Sequence, residues 1–199
     1  MAQEIEIEYK VLLTKTQYER LAKNLPFPAA MTQVNYYFET DQFDLKRNGS
    51  ALRIRKKNGN YVLTLKEPHE EGILETHDKL TKAEFFQWID GNPVAKPHTM
   101  EQLQKKEIEI EQLNYYGSLT TERKTFTEQN IAYFLDKSYY LEQTDYELEI
   151  EAPTQKQALN AFLNILETYN IEQKEPITKN ERFFRLLVKT HDDFSDVQF

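Results

Sequence analysis

From Glu4 to Val11 the chain reads Glu-Ile-Glu-Ile-Glu-Tyr-Lys-Val, an ionisable group and an apolar or aromatic group in strict alternation. Period two is the period of a strand, so the charges share one face of a sheet and the apolar groups share the other. The pattern returns in Leu52-Arg53-Ile54-Arg55, in Leu63-Thr64-Leu65-Lys66 and in Tyr146-Glu147-Leu148-Glu149-Ile150-Glu151. Solvated sheet faces usually mix in Thr, Ser and Gln, whereas here full charges of both signs fill nearly every polar position. A barrel whose charged side faces inward around a wet channel, with its apolar side packed under helices, accounts for this.

Further strands are expected near 33–39, 50–56, 60–66, 73–79, 115–127, 130–136 and 144–151, with Lys57-Asn58-Gly59-Asn60 as a hairpin turn. Thr14 and Gln17 form a capping box that opens a helix with a Tyr18, Leu21, Leu25 stripe, and Pro26 and Pro28 stop it. Thr81 with Glu84 opens a second helix, Thr154 with Gln157 a third, and a last one is expected near Thr178. Residues 99–112 match neither period. Roughly eight strands joined by connections too short for parallel crossovers imply a mostly antiparallel sheet. The expected organisation is one α+β domain over 1–190 and a frayed acidic tail over 191–199.

Composition narrows the function. The chain has 199 residues, no cysteine and a formal charge of −8. Disulfides and thiolate chemistry are therefore excluded, and long-range attraction to nucleic acid or an anionic membrane is not expected. No apolar run reaches membrane-spanning length, and the opening residues carry no secretory pattern, so a cytoplasmic location is expected. The four histidines lack ligand spacing such as His-x-x-x-His, and without cysteine a structural zinc site is not expected. There is no phosphate-binding Walker loop, dinucleotide fingerprint or nucleophile elbow.

The charges themselves form a constellation. Glu6, Glu8 and Lys10 share a strand face, with successive side chains roughly 7 Å apart, too far for one strand to chelate an ion alone. The second acidic strand, Glu147, Glu149 and Glu151, could complete a site, and oxygen-only ligands suit Mg²⁺ or Mn²⁺. Arg53, Arg55, Lys66 and Arg123 lie on alternating faces, and Lys179 stands at an expected helix start, where the dipole disfavours a cation unless an anion is near. Each acidic strand or base, taken singly, is also compatible with plain surface charge. A triphosphate with bridging metal ions needs both signs at once. Glu107-Ile108-Glu109-Ile110-Glu111 echoes the first strand but lacks its lysine and reads as a solvated segment.

In this order the motifs resemble the CYTH family, the triphosphate tunnel metalloenzymes. The resemblance rests on Glu6-x-Glu8-x-Lys10, Tyr37-Phe38-Glu39-Thr40, Leu52-Arg53-Ile54-Arg55, Leu63-Thr64-Leu65-Lys66, Glu75, Arg123, Asp136, Glu147/Glu149/Glu151 and Lys179, and covers about residues 4–185. It implies a closed eight-stranded antiparallel β-barrel. Arg53, Arg55, Lys66, Arg123 and Lys179 would hold a triphosphate. Mg²⁺ or Mn²⁺ would be drawn from Glu6, Glu8, Glu75, Asp136, Glu147, Glu149 and Glu151, and Lys10 with Tyr37 would serve the attacking water. Family members include inorganic, thiamine and RNA triphosphatases and class IV adenylate cyclases. The chain departs from the pattern at Glu75-Thr76-His77, where many members carry Glu-x-Glu. The leading expectation is metal-dependent hydrolysis of inorganic triphosphate. The alternatives are an adenylate cyclase, a thiamine or nucleoside triphosphatase, and a non-catalytic polyphosphate- or nucleotide-binding module. The expected partner is a small triphosphate, and the oligomeric state is left open.

Overall fold

The computed structural model describes residues 2–174 and 177–190. The strands are β1 (Gln3–Glu6), β2 (Glu8–Leu13), β3 (Met31–Thr40), β4 (Ala51–Lys57), β5 (Asn60–His69), β6 (Gly72–Leu80), β7 (Leu113–Glu128), β8 (Ile131–Tyr140) and β9 (Gln143–Glu151). The helices are α1 (Lys15–Asn24), α2 (Asp44–Arg47), α3 (Lys82–Ile89), α4 (Pro97–Lys105), α5 (Gln155–Thr168) and α6 (Lys179–Thr190). The fold is α+β, with strand order β1-β6-β5-β4-β3-β7-β8-β9-β2. About eight strands are expected from the sequence and nine are present among the described residues. The first alternating run, 4–12, divides at Ile7, because residues up to Glu6 pair with β6 while residues from Glu8 pair with β9.

The chain forms two compact units. One comprises Met1–Ile7 and Thr32–Ser118, the other Glu8–Met31 and Leu119–Phe199. In the first, the apolar face of β4 and β5 (Leu52, Ile54, Leu63, Leu65) packs with Phe85 and Trp88 of α3 and Leu103 of α4. The 57–60 turn is a two-residue hairpin with Asn58 and Gly59 both at positive φ (52° and 78°), the geometry that matches strand twist. Residues 99–112, unassignable from periodicity, hold most of α4 and a 3₁₀ turn at Ile110–Gln112. No side chain of its own caps α4. Instead the buried Asp78 carboxylate of β6 accepts from Thr99 N (2.7 Å) and Thr99 Oγ1 (2.8 Å), a cap that sequence spacing does not reveal. Glu107, Glu109 and Glu111 are exposed as expected, with Ile108 and Ile110 turned into the core.

In the second unit Val11, Leu135, Leu148 and Ile150 form an apolar face covered by α1 and α5 through Leu21, Phe162 and Ile165. The capping boxes at Thr14–Gln17 and Thr81–Glu84 form as expected, and Thr154 Oγ1 accepts from Gln157 N. Thr178 likewise accepts from Glu181 N at the start of α6. The expected tail 191–199 lies outside the described residues. Among the described residues no helix is long and apolar enough to cross a membrane.

Candidate active site

Residues directly opposite one another in a ladder share a face, so strand register alone groups the charges. In the first unit one row reads Tyr37–Arg53–Thr64–His77 across β3, β4, β5 and β6. The next reads Lys66–Glu75–Glu4 across β5, β6 and β1. In the second unit Lys10 lies opposite Glu149, Glu8 opposite Glu151, and Asp136 between Arg123 and Glu147. These faces are largely closed to solvent, with Glu4 at the exposed end of its row. Glu75, Asp136, Glu147 and Glu149 are all buried, so these strands have one buried apolar side and one buried charged side.

Buried charges must be paired, and here the pairing is dense. Lys66 Nζ lies 2.5 Å from both Glu6 Oε2 and Glu75 Oε1, and Arg53 approaches Glu75 Oε1 at 3.5 Å. Arg55 donates to the buried Asn35 Oδ1 at 3.0 Å. Among the described residues Arg53 Nε is buried and has no acceptor. Burial pushes the Glu75 carboxyl up, but Arg53, Lys66 and His77 outweigh it and hold it down at about 2. Tyr37 is buried on β3.

In the second unit Arg123 grips Asp136 bidentately (Nε–Oδ1 2.8 Å, Nη2–Oδ2 2.6 Å) and also donates to Glu149. Lys179, the first residue of α6, meets Glu149 at 2.6 Å, Asp136 at 2.9 Å and Glu147 at 3.2 Å. The anions that offset the helix dipole at Lys179 are thus the protein's own carboxylates. Lys10 donates to Glu8. Burial lowers the Lys10 ammonium pKa, but Glu8, Glu149 and Glu147 more than offset this, and the net direction is up. Desolvation likewise opposes ionisation of Glu149, yet Arg123 and Lys179 hold its carboxyl well below the usual range. Glu147 goes the other way, because burial dominates over Lys179 and Arg182, and its Oε1 has no hydrogen-bond partner.

Arg182 is a site residue that the sequence reading missed. It donates from Nε to Asp145 (2.8 Å) and from Nη2 to Glu147 (2.5 Å), and Asp145 in turn accepts from Tyr140 Oη at 2.7 Å. Its signal was its place three residues after Lys179, on the same face of α6. Glu39 of the Tyr37-Phe38-Glu39-Thr40 motif has a structural part. It is buried and accepts from the N–H groups of Thr40, Leu45 and Lys46 at 2.8–3.0 Å, tying β3 to α2.

The carboxylates expected to bind metal meet the protein's own cations. Asp136, Glu147 and Glu149 are engaged by Arg123, Lys179 and Arg182, and Glu75 by Lys66 and Arg53. Glu8, which begins β2, lies opposite Glu151 of β9 and accepts from Lys10, while Glu6, which ends β1, meets Lys66. That all-oxygen donor set fits Mg²⁺ or Mn²⁺.

The CYTH domain profile matches residues 4–184. The chain belongs to the CYTH domain family. It is 41% identical over 186 residues to a Bacillus subtilis (strain 168) protein named "Putative triphosphatase YjbK", covering 92% of this chain and 96% of that one. Among solved structures it is similar to a Bacillus halodurans protein described as "a putative adenylate cyclase", with 39% identity, a TM-score of 0.89, and coverage of 92% of this CYTH chain and 100% of the other. A Hippeastrum protein, described as a putative adenylyl cyclase with dominant triphosphatase activity, shares the CYTH fold at 21% identity and a TM-score of 0.72, covering 94% of this chain and 96% of that one.

Proposed function

We propose that this CYTH protein hydrolyses a triphosphate, with inorganic triphosphate as the leading substrate, using a divalent cation. The observation that carries the reading is the buried cluster of Arg123, Lys179, Asp136, Glu147 and Glu149. Burying so many charges costs more than their mutual attraction returns, so such a cluster is weak evidence of a stability device. A polyanion accompanied by cations uses both signs. The 41% identical relative named as a triphosphatase supports the same class.

In this reading Arg53, Arg55, Lys66, Arg123 and Lys179 neutralise the non-bridging phosphate oxygens. Arg53 Nε, which has no protein acceptor, is a donor held for such an oxygen. Glu6, Glu8, Glu149 and Glu151 would hold Mg²⁺ or Mn²⁺. When bound, the cation supplies charge neutralisation and a more acidic water. Lys10 positions the attacking water, with Tyr37 assisting. Residues 1–190 acting as one domain, with the strand order closed into a tunnel, belong to the same reading and rest on the family match across 4–184. A cytoplasmic site of action fits the cysteine-free composition.

The relative described as a putative adenylate cyclase keeps cyclisation as the second reading. A cyclase must hold a nucleoside so that the ribose 3′-hydroxyl lies in line with the α-phosphorus, whereas a hydrolase orients water. The test is a product-resolved assay of triphosphate, ATP, thiamine triphosphate and longer polyphosphates, with Mg²⁺ and with Mn²⁺. Inorganic triphosphate should show the highest kcat/KM, and ATP should yield no cyclic AMP. A cyclic AMP peak that grows with enzyme and cation would overturn the hydrolase reading. Full turnover by metal-free protein in excess chelator would overturn the cation's part in it.

A further inference from the structure

We propose that Glu4, Glu75 and His77 form a second cation site, with one nitrogen and two oxygen ligands, that takes a first-row transition ion of the zinc class in preference to Mg²⁺. His77 Nε2 lies 3.1 Å from Glu4 Oε1 and 3.2 Å from Glu75 Oε2. Ligand atoms around a tetrahedral ion with bonds of about 2.0–2.2 Å stand about 3.4 Å apart, so the three groups are already close to ligand spacing. A single proton on Nε2 would have to serve two carboxylates, whereas an ion serves both at once.

The ring is held for this task from behind. Nδ1 lies 3.0 Å from the Oγ1 of Thr64, a buried residue directly across the ladder, and this leaves Nε2 facing the carboxylates. A hydrogen bond on the distal ring nitrogen is the usual way a ligating histidine is oriented. Glu75 divides its two oxygens. Oε1 faces Lys66 and Arg53, and Oε2 faces His77. Lys66 also contacts Glu6, so its ammonium stands between Glu6 and Glu75. The imidazole sets the selectivity, because nitrogen ligands suit Zn²⁺, Co²⁺ and their neighbours, whereas Mg²⁺ demands oxygen. Three protein ligands leave a coordination position for water or an anion's oxygen.

The test uses Co²⁺ as a visible probe on chelator-treated full-length protein, with Zn²⁺ and Mg²⁺ as competitors. Wild type should bind Co²⁺ with a d–d absorption that Zn²⁺ displaces and Mg²⁺ does not. His77→Gln should lose that band, Thr64→Val should bind about 10–100-fold more weakly, and Glu151→Gln should keep it. Glu4 is 61% exposed, so Glu4→Gln will fold and decides the matter if His77→Gln does not. An unchanged band in both His77→Gln and Glu4→Gln would overturn the site, leaving His77 a proton-bearing partner of two carboxylates. So would loss of the band in Glu151→Gln, which would place the ion among Glu6, Glu8 and Glu151. The readout is binding, so failure of the triphosphatase reading leaves this result intact.

Discussion

Replacing Lys179 by Met keeps the length of the side chain and removes its charge. In the wild type its ammonium faces Asp136, Glu147 and Glu149 at 2.6–3.2 Å, all three buried. After the change those three carboxylates face two guanidinium groups, those of Arg123 and Arg182. Removing one partner of a buried ion pair costs about 3–5 kcal/mol. A ceiling comes from protonation, since the uncompensated carboxyl can take up a proton instead of remaining charged. From an ordinary pKa of about 4.3 to pH 7 that costs about 3.7 kcal/mol, at about 1.36 kcal/mol per pH unit. The expected loss at pH 7 is therefore about 3–4 kcal/mol, and it should shrink as the pH falls toward 4. Urea unfolding followed by the fluorescence of Trp88, the chain's single tryptophan, and by circular dichroism measures it. A loss below about 1 kcal/mol at pH 7 that does not change with pH would refute the reasoning, because it would mean that water already screens these charges.

Three further outcomes are expected. Arg53→Ala, Arg55→Ala and Lys66→Ala should each lower triphosphate kcat/KM by about 10–100-fold, the worth of a hydrogen bond to a charged group; Arg53→Ala and Lys66→Ala, which each leave the buried Glu75 with one cation fewer, should also lower the urea midpoint, and unchanged kinetics would remove these residues from the substrate site. Gly72→Ala would place a Cβ 2.3 Å from the Glu6 backbone oxygen, so it should cost roughly 1–3 kcal/mol and raise the cation requirement by displacing Glu6; an unaltered midpoint and cation dependence would show that β1 yields freely. The Glu84 carboxyl is held down at about 2, first by its hydrogen bond from Lys96 and then by Thr81 N–H. Its stabilisation is present above the ordinary value near 4.3 and is lost as pH falls toward 2. Glu84→Gln should therefore be less stable than wild type at pH 7, by under about 1 kcal/mol at this partly exposed position, and equal to it near pH 2; a difference independent of pH would exclude the ion pair as its cause.

The sequence by itself determined the strands, their two faces and most of the charged residues, because period two and capping chemistry are local. Thr14–Gln17, Thr81–Glu84 and the Asn58-Gly59 turn act within a few residues, and each formed as read. The charged faces of Arg53/Arg55 and Glu147/Glu149/Glu151 were legible for the same reason. Tertiary structure alone decided what each charge meets. The division at Ile7 follows from two different pairing partners, β6 and β9, 67 or more residues away. α4 starts where the Asp78 carboxylate caps it, from another element. No spacing rule makes His77 a neighbour of Glu4, or Arg182 a neighbour of Asp145 and Glu147, because strand register and helix docking create those contacts. Which cations a carboxylate faces depends on distances of a few ångströms across the sheet, which only the folded chain sets.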